Sequence, residues 1–392
     1  MLKRFLKLEL PKNQSLFLWG ARKTGKSTFL KELYPHSIYI DLLENDTLLS
    51  YAKNPSRLRH EVLEYKPDIL QYPIIIDEIQ KVPALLDEVH WLIENGKDRG
   101  IYFILCGSSL RRLKLSGSNL LGGRAWRQIF MPICYPELPT FDLLRIVNQG
   151  LIPSHYLAQK DYERLLQGYL ADYLIPEIQW ESRIRQIGSF SRFLDAIAYS
   201  NGSMVSWNNI ARECSVNSRT VQSYVELLID MLLGYLIFPY SKNQSRAMIS
   251  ATPKFYFFDT GIISVLKNST ISTLKGAEAG SRLEHYIFLE LMAYKNLNNL
   301  LFPIEYWRTK SGYEVDFILD KGKVAIEVKI SENVHVSDLK ALRAFAHDNV
   351  ETACFLVSLE PKARKIEIGN GYITILPVEE FLKRLWNKEI IQ

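Results

Sequence analysis

Long apolar runs are missing from this sequence. The most apolar stretch, Leu227–Tyr240, is interrupted by Asp230 and Gly234. It is shorter than the roughly 20 residues that a bilayer-spanning helix needs. The opening MLKRFLKLELPKNQ carries Lys3, Arg4 and Lys7 but lacks an apolar core long enough for a secretory leader. Cysteine is scarce. Cys106, Cys134, Cys214 and Cys354 lie far apart with no CxxC pair, which argues against a zinc site or a disulfide framework and fits a reducing compartment. Internal repeats and low-complexity tracts are absent too. So is a strong charge imbalance: a net charge of +5 permits a nucleic-acid partner without indicating one. These absences lead to the expectation of a soluble, cytoplasmic protein with no membrane partner. Apolar residues are nonetheless plentiful. A 47% hydrophobic and 12% aromatic content suits packed globular domains and argues against a disordered chain. At roughly 150 residues per domain, there is room for two or three domains.

The pattern changes along the chain. Up to residue 140, short apolar runs alternate with amphipathic stretches, which predicts a parallel α/β sheet. The runs are Leu16–Trp19, Ser37–Asp41, Pro73–Glu78, Ile101–Gly107 and Gln128–Ile133, and Pro132, Pro136 and Pro139 close the unit. Residues 141–200 read as helices, from the three- and four-residue apolar spacing in YERLLQGYLADYL. A helical and hairpin-like stretch fills 201–266, and KNSTISTLKGAEAGS reads as a linker. The last domain, 278–392, begins with a helix near Arg282–Tyr294 and continues in strands around Tyr313–Leu319 and Val324–Ile330.

Residues Gly20 to Ser27, GARKTGKS, fit GxxxxGK[ST] between an apolar strand and an amphipathic helix. Glycines let backbone N–H groups turn inward around phosphates, and the helix N-terminus adds positive potential. Gly20, Lys23, Thr24, Gly25, Lys26, Ser27 and Thr28 are therefore the candidate ATP ligands, with Lys26 on the β- and γ-phosphates and Ser27 on Mg²⁺. Ile74–Ile76 runs straight into Asp77 and Glu78. Two carboxylates ending a buried strand are costly unless they serve a cation or a proton donor. Asp77 suits the Mg²⁺ role and Glu78 the base that orients and deprotonates water.

IIIDEIQ followed by ILCGSS resembles the ATPase core of the AAA+ superfamily. The resemblance implies a polar sensor residue after the fourth strand: Ser108, or Ser109, with helix capping as the alternative for either. It also implies an arginine finger that reaches a neighbouring subunit's site. Arg124, in Leu121-Gly122-Gly123-Arg124, is the candidate and Arg127 its rival, so a homo-oligomer is expected.

Two helices, Trp207–Cys214 and one opening at Ser218, are separated by a short turn and resemble a winged-helix domain. Its second helix would present Arg219, Thr220, Gln222 and Ser223, with Lys242 and Arg246 on the wing. DNA contact and protein packing both remain open for it. Further on, YWRTKSGYEVDF and AIEVK resemble the PD-(D/E)xK nuclease core. That resemblance makes Asp316 and Glu327 ligands of Mg²⁺ or Mn²⁺, and Lys329 the residue that places the attacking water. Glu284 on the preceding helix would complete the set, although Ser281–Glu284 also reads as a capping box. A cross-strand salt-bridge cluster is the alternative for the strand residues.

With FFDTGI (Phe257–Ile262) added, the order of parts resembles a family of bacterial and archaeal AAA+-type ATPases with a winged helix and a C-terminal PD-(D/E)xK-like domain. The expected fold class is accordingly α/β: a parallel-sheet, AAA+-like P-loop ATPase core with a helical lid, a winged helix and a restriction-endonuclease-like α/β domain. The resemblance implies ATP hydrolysis coupled to DNA binding and metal-dependent phosphodiester cleavage. The alternative is a nucleotide-dependent switch or remodelling ATPase whose last domain only binds.

Overall fold

The computed structural model describes residues 2–11, 14–115, 121–182, 187–241, 252–369 and 371–392. The chain divides into two compact units that interleave along the sequence. The first comprises Met1–Ile133, Glu177–Arg183 and Asp230–Leu233. The second comprises Cys134–Pro176, Ile184–Ile229 and Gly234–Gln392.

In the first unit five short runs become strands: β1 (Ser15–Trp19), β2 (Tyr39–Asp41), β3 (Ile74–Asp77), β4 (Phe103–Gly107) and β5 (Ala125–Ile129). All pair in parallel, in the order β2-β3-β4-β1-β5. The inner strands β1, β3 and β4 are buried along their full length, which is why their sequences are continuously apolar rather than alternating. Helix Leu85–Asn95 lays Leu85, Leu86, Val89 and Leu92 into a core with Phe17, Ile76 and Leu105. Parallel strands place all their carboxyl ends on one edge, so the residues following β1, β4 and β3 become neighbours there. The fifth strand lies earlier than its apolar run suggested. It pairs Ser15 with Ala125 through Trp19 with Ile129. As an edge strand it exposes Trp126 and Arg127, so hydrophobicity does not mark it.

In the second unit, helices Trp207–Cys214 and Ser218–Asp230 flank a turn in which Ser215 takes φ 55°. Asn217 caps the second helix by accepting the Thr220 N–H at 2.8 Å. Strands β6 (Gly234–Ile237) and β7 (Lys254–Phe257) then pair antiparallel. Lys242 and Arg246 lie outside the described residues. Helix Gly276–Leu297 begins well before Arg282, inside the expected linker. Ala277 and Ala279 favour helix, and Glu278 in its first turn pairs with Arg282 at 2.9 Å. Ser281 therefore lies inside the helix, and its reading as the start of a capping box is corrected.

Six strands follow: β8 (Ile304–Arg308), β9 (Glu314–Leu319), β10 (Val324–Val328), β11 (Ala353–Ser358), β12 (Arg364–Ile368) and β13 (Gly371–Pro377). Their sheet order is β12-β13-β11-β10-β9-β8. A short turn, Asp320–Gly322, joins the antiparallel pair β9 and β10, while β11 runs parallel to β10. The molecule is thus an α/β protein with a parallel five-stranded sheet, a helical segment and a further mixed sheet.

Candidate functional site

The loop after β1 starts at Gly20, where a Cβ would come within 2.4 Å of the Phe130 carbonyl oxygen. Gly25, at φ +96°, then turns the backbone into helix Lys26–Leu33. Thr24 Oγ1 donates to the Ala21 carbonyl at 2.8 Å, and Lys23 holds φ 60°. The Arg4 guanidinium braces the loop from behind, donating to the Thr24 and Met131 carbonyls at 2.7 Å each. Lys26 is buried, and its ammonium donates to the carbonyls of Gly20 at 2.7 Å and Ala21 at 3.0 Å. Burial lowers its pKa, against the pull of Glu78. Thr28 is exposed in the first turn of the helix.

Ser27 Oγ donates to Asp77 Oδ2 at 2.5 Å, and the Tyr39 hydroxyl of β2 donates to the same oxygen. Burial, then the Asp77 charge, pushes the Tyr39 phenol upward, so it stays a donor. Glu78 sits at φ 58°, a left-handed conformation that is strained for a glutamate and is often kept at working sites. Its Oε2 accepts from Gln80 Nε2 at 2.5 Å, Ser108 Oγ at 3.0 Å and Arg22 Nη2 at 3.4 Å. Ser108 and Ser109 make different contacts. Ser108 faces Glu78, whereas Ser109 Oγ accepts the Arg111 N–H at the start of helix Arg111–Leu115. Arg124 lies on the surface before β5, with its guanidinium paired to Glu94. Arg127 is exposed on β5.

In the second unit, β9 and β10 pair from Val324 with Leu319 to Ile326 with Phe317, and Glu327 and Asp316 are the next residue on each strand. Period two then gives both carboxylates and Lys329 one face. Asp316 Oδ2 accepts the Val328 N–H at 2.8 Å, and Lys329 Nζ lies 2.6 Å from Glu327 Oε1. Glu327 Oε2 is buried with no hydrogen-bond partner. Glu284, on helix Gly276–Leu297, accepts from the Tyr256 hydroxyl at 2.6 Å and from Lys254 Nζ at 3.4 Å. Lys254 also pairs with Glu314 at 2.6 Å.

Burial, with Asp316 behind it, raises Glu284 to about 7. The same two causes carry Glu327 well above the carboxylate range, and burial raises Asp316. Burial works to lower Lys254 and Lys329, but the surrounding carboxylates outweigh it and raise both. Carboxylate oxygens suit Mg²⁺ or Mn²⁺, and the orphaned Glu327 oxygen fits a cation ligand. Among the described residues, however, no three His, Cys, Asp or Glu side chains are arranged to hold a metal ion. In this conformation Lys329 holds the other Glu327 oxygen, the Val328 N–H bonds Asp316, and Lys254 and the Tyr256 hydroxyl hold Glu284.

On the second helix of the helix-turn-helix, Arg219, Gln222 and Ser223 are exposed, and Thr220 is half-buried. Among the described residues no helix is long and apolar enough to cross a membrane.

Several residues at these sites escaped the sequence reading: Arg22, Tyr39, Gln80, Lys254, Tyr256, and Glu177, whose Oε1 accepts from Arg22 Nη2 at 2.9 Å. Arg22 and Gln80 sit within motif positions that tolerate many residues. Tyr39, Glu177 and Lys254 carry no local signal, because only the fold brings them to the site.

Comparison with known proteins matches three stretches of the chain to family models. Residues 12–138 match the family described as an AAA domain. Residues 140–273 and 279–381 match two domains of unknown function, DUF8612 and DUF4143. Uncharacterized proteins of Mycobacterium tuberculosis and Mycobacterium bovis are each 24% identical over 260 residues, covering 63% of this chain. The match spans only 56% of those proteins' length. A crystal structure of a Signal Transduction ATPase with Numerous Domains protein with a tetratricopeptide repeat sensor, from Pyrococcus horikoshii, is 12% identical and covers 73% of this chain and 46% of its own. Its TM-score of 0.19 carries no argument about fold. The AAA match places the parallel-sheet unit in the ATPase-type P-loop class.

Proposed function

We propose that this chain binds ATP with Mg²⁺ and hydrolyses it, and couples the cycle to DNA binding and metal-dependent cleavage of phosphodiester bonds. The observation that carries the ATPase reading is the Ser27–Asp77 contact at 2.5 Å beside the buried Lys26. A hydroxyl from the first turn of the helix after the loop and a carboxylate from the end of β3 are the oxygen pair that Mg²⁺ takes in a P-loop site. Ser27 and Asp77 would hold the ion, which supplies charge neutralisation at the phosphates. Lys26 leaves the Gly20 and Ala21 carbonyls for the β- and γ-phosphates. Glu78 accepts the proton of the attacking water, and Ser108 holds Glu78 in line. Equilibrium binding of a fluorescent ATP analogue tests the reading. Lys26→Ala is expected to weaken binding tenfold or more, about the worth of a charge-assisted contact to phosphate. Wild-type protein that binds no nucleotide would overturn the reading.

Arg124 is expected to act in trans, so the ATPase rate per subunit should rise with protein concentration. Mixing Arg124→Ala with Lys26→Ala subunits should restore turnover, since one keeps a working pocket and the other a working finger. If demonstrably mixed oligomers show no recovery, Arg124 has no such role.

For the C-terminal sheet, the convergence of Asp316, Glu327, Lys329 and Glu284 around an orphaned buried oxygen supports a nuclease site. The two lysines that already counter these acids favour a second reading, in which this sheet only binds nucleic acid or protein and the ATPase acts as a switch. Incubating the protein with several DNA and RNA forms, with and without Mg²⁺ and ATP, separates the two. Binding through phosphates would also weaken steeply with salt.

A further inference from the structure

Arg22, a cation of the phosphate loop, has its side chain held among the groups that surround Glu78. Its Nη2 donates to Glu177 Oε1 at 2.9 Å and to Glu78 Oε2 at 3.4 Å, while its Nε donates to Ser108 Oγ at 3.3 Å. Glu177 stands in the first turn of helix Ile175–Ser182, far along the chain but part of the same compact unit. All three side chains are largely buried, so these charge pairs are poorly screened.

The arrangement has a cost for Glu78. Of its two carboxylate oxygens, Oε2 already accepts from three donors, one of them a cation. Arg22 is also the donor most readily drawn elsewhere: it contacts Glu78 at the longest of the three distances, and it grows from the loop that cradles phosphate. A guanidinium prefers the oxygens of a phosphate, which it can meet with two parallel N–H groups. An arginine supplied in cis is one established way to place positive charge on a γ-phosphate.

We propose that Arg22 reads the γ-phosphate. With the loop empty it bridges Glu78 and Glu177; with a triphosphate in the loop it moves onto the γ-phosphate, leaving both glutamates. Glu78 then loses its cationic partner only when a triphosphate is present, and Glu177 is released as a signal that the loop is filled. A diphosphate offers nothing at that position and leaves the bridge intact. The inference rests on the ATPase reading and deepens it.

The test is equilibrium binding of a non-hydrolysable ATP analogue and of ADP, each with Mg²⁺, to wild type, Arg22→Ala, Arg22→Lys and Glu177→Gln. Arg22→Ala should lose roughly tenfold or more in affinity for the triphosphate, the worth of one or two charge-assisted hydrogen bonds, with ADP affinity nearly unchanged. Arg22→Lys should recover part of the loss. Glu177→Gln removes a competitor for the guanidinium and should tighten triphosphate binding alone. Parallel losses for both nucleotides in Arg22→Ala, or no selective gain in Glu177→Gln, would overturn the inference while leaving the ATPase reading standing. Should Arg22→Ala fail to fold, Glu177→Gln decides alone. A wild-type protein that binds neither nucleotide ends both.

Discussion

Glu78→Gln is expected to keep ATP bound and to cut its hydrolysis by about two to four powers of ten, the usual worth of a positioned general base. An amide has nearly the shape of the carboxylate but cannot accept the proton of water. The surrounding geometry makes this a clean test. Lys26, which would hold the phosphates, bonds the loop carbonyls and not Glu78. The Ser27–Asp77 pair that would hold Mg²⁺ is likewise left in place. Binding and chemistry should therefore separate: Lys26→Ala acts on affinity, Glu78→Gln on turnover. Single-turnover hydrolysis beside equilibrium binding reads both. A Glu78→Gln protein that hydrolyses ATP at the wild-type rate would remove Glu78 from the base role.

The second large effect belongs to the C-terminal sheet. Lys329→Ala should abolish phosphodiester cleavage while divalent cation still binds, and Asp316→Ala should lose both. Burial raises both Asp316 and Glu327, and the Asp316 charge raises Glu327 further, so this pocket favours protonation over charge. Mg²⁺ or Mn²⁺, when bound, would supply the positive charge that lets both stay ionised. Lys329 acts differently. Its ammonium reaches Glu327 and is partly exposed, so it can orient a water for attack without being needed for the ion. Hydrolysis of ATP without nucleic acid should survive both changes. Calorimetry with Mn²⁺ and cleavage of labelled DNA and RNA are the measurements. If no cation binding depends on Asp316 and no nucleic acid is cut, the sheet serves binding, and the switch reading stands in its place.

Much of the first site could be read from residues alone, because its parts are short and contiguous. GARKTGKS needs its glycines for backbone reasons, and DE at the end of an apolar run is conspicuous for its cost. What the sequence hid was lateral. Tyr39 reaches Asp77 because β2 lies beside β3, and Glu177 reaches Arg22 through a helix with no motif. The strand order that creates these neighbours leaves no mark on local pattern. β5 was misplaced for a related reason: an edge strand needs one buried side only, and the stronger apolar run just after it drew the assignment. In the C-terminal part the hairpin of β9 and β10 was legible from alternation and the turn at Gly322. Lys254 was not, since its lysine looks like any surface cation until β7 places it, buried, beside Glu284 and Glu314. The helix start at Gly276 was obscured by serines and threonines that composition alone assigns to a linker.

The interleaving of the two units also sets an order of events in time. The ATPase-type unit draws on Glu177–Arg183 and Asp230–Leu233 as well as Met1–Ile133. On a ribosome adding about 5 to 20 residues per second, the wait between Ile133 and Leu233 lasts on the order of 5 to 20 s. Early in that interval the parallel sheet can form before Glu177 exists for Arg22 to meet, and until near its end the Asp230 carboxylate that pairs with Arg111 and Lys114 has not been made. The nascent first unit therefore emerges with its phosphate loop complete and its restraint missing.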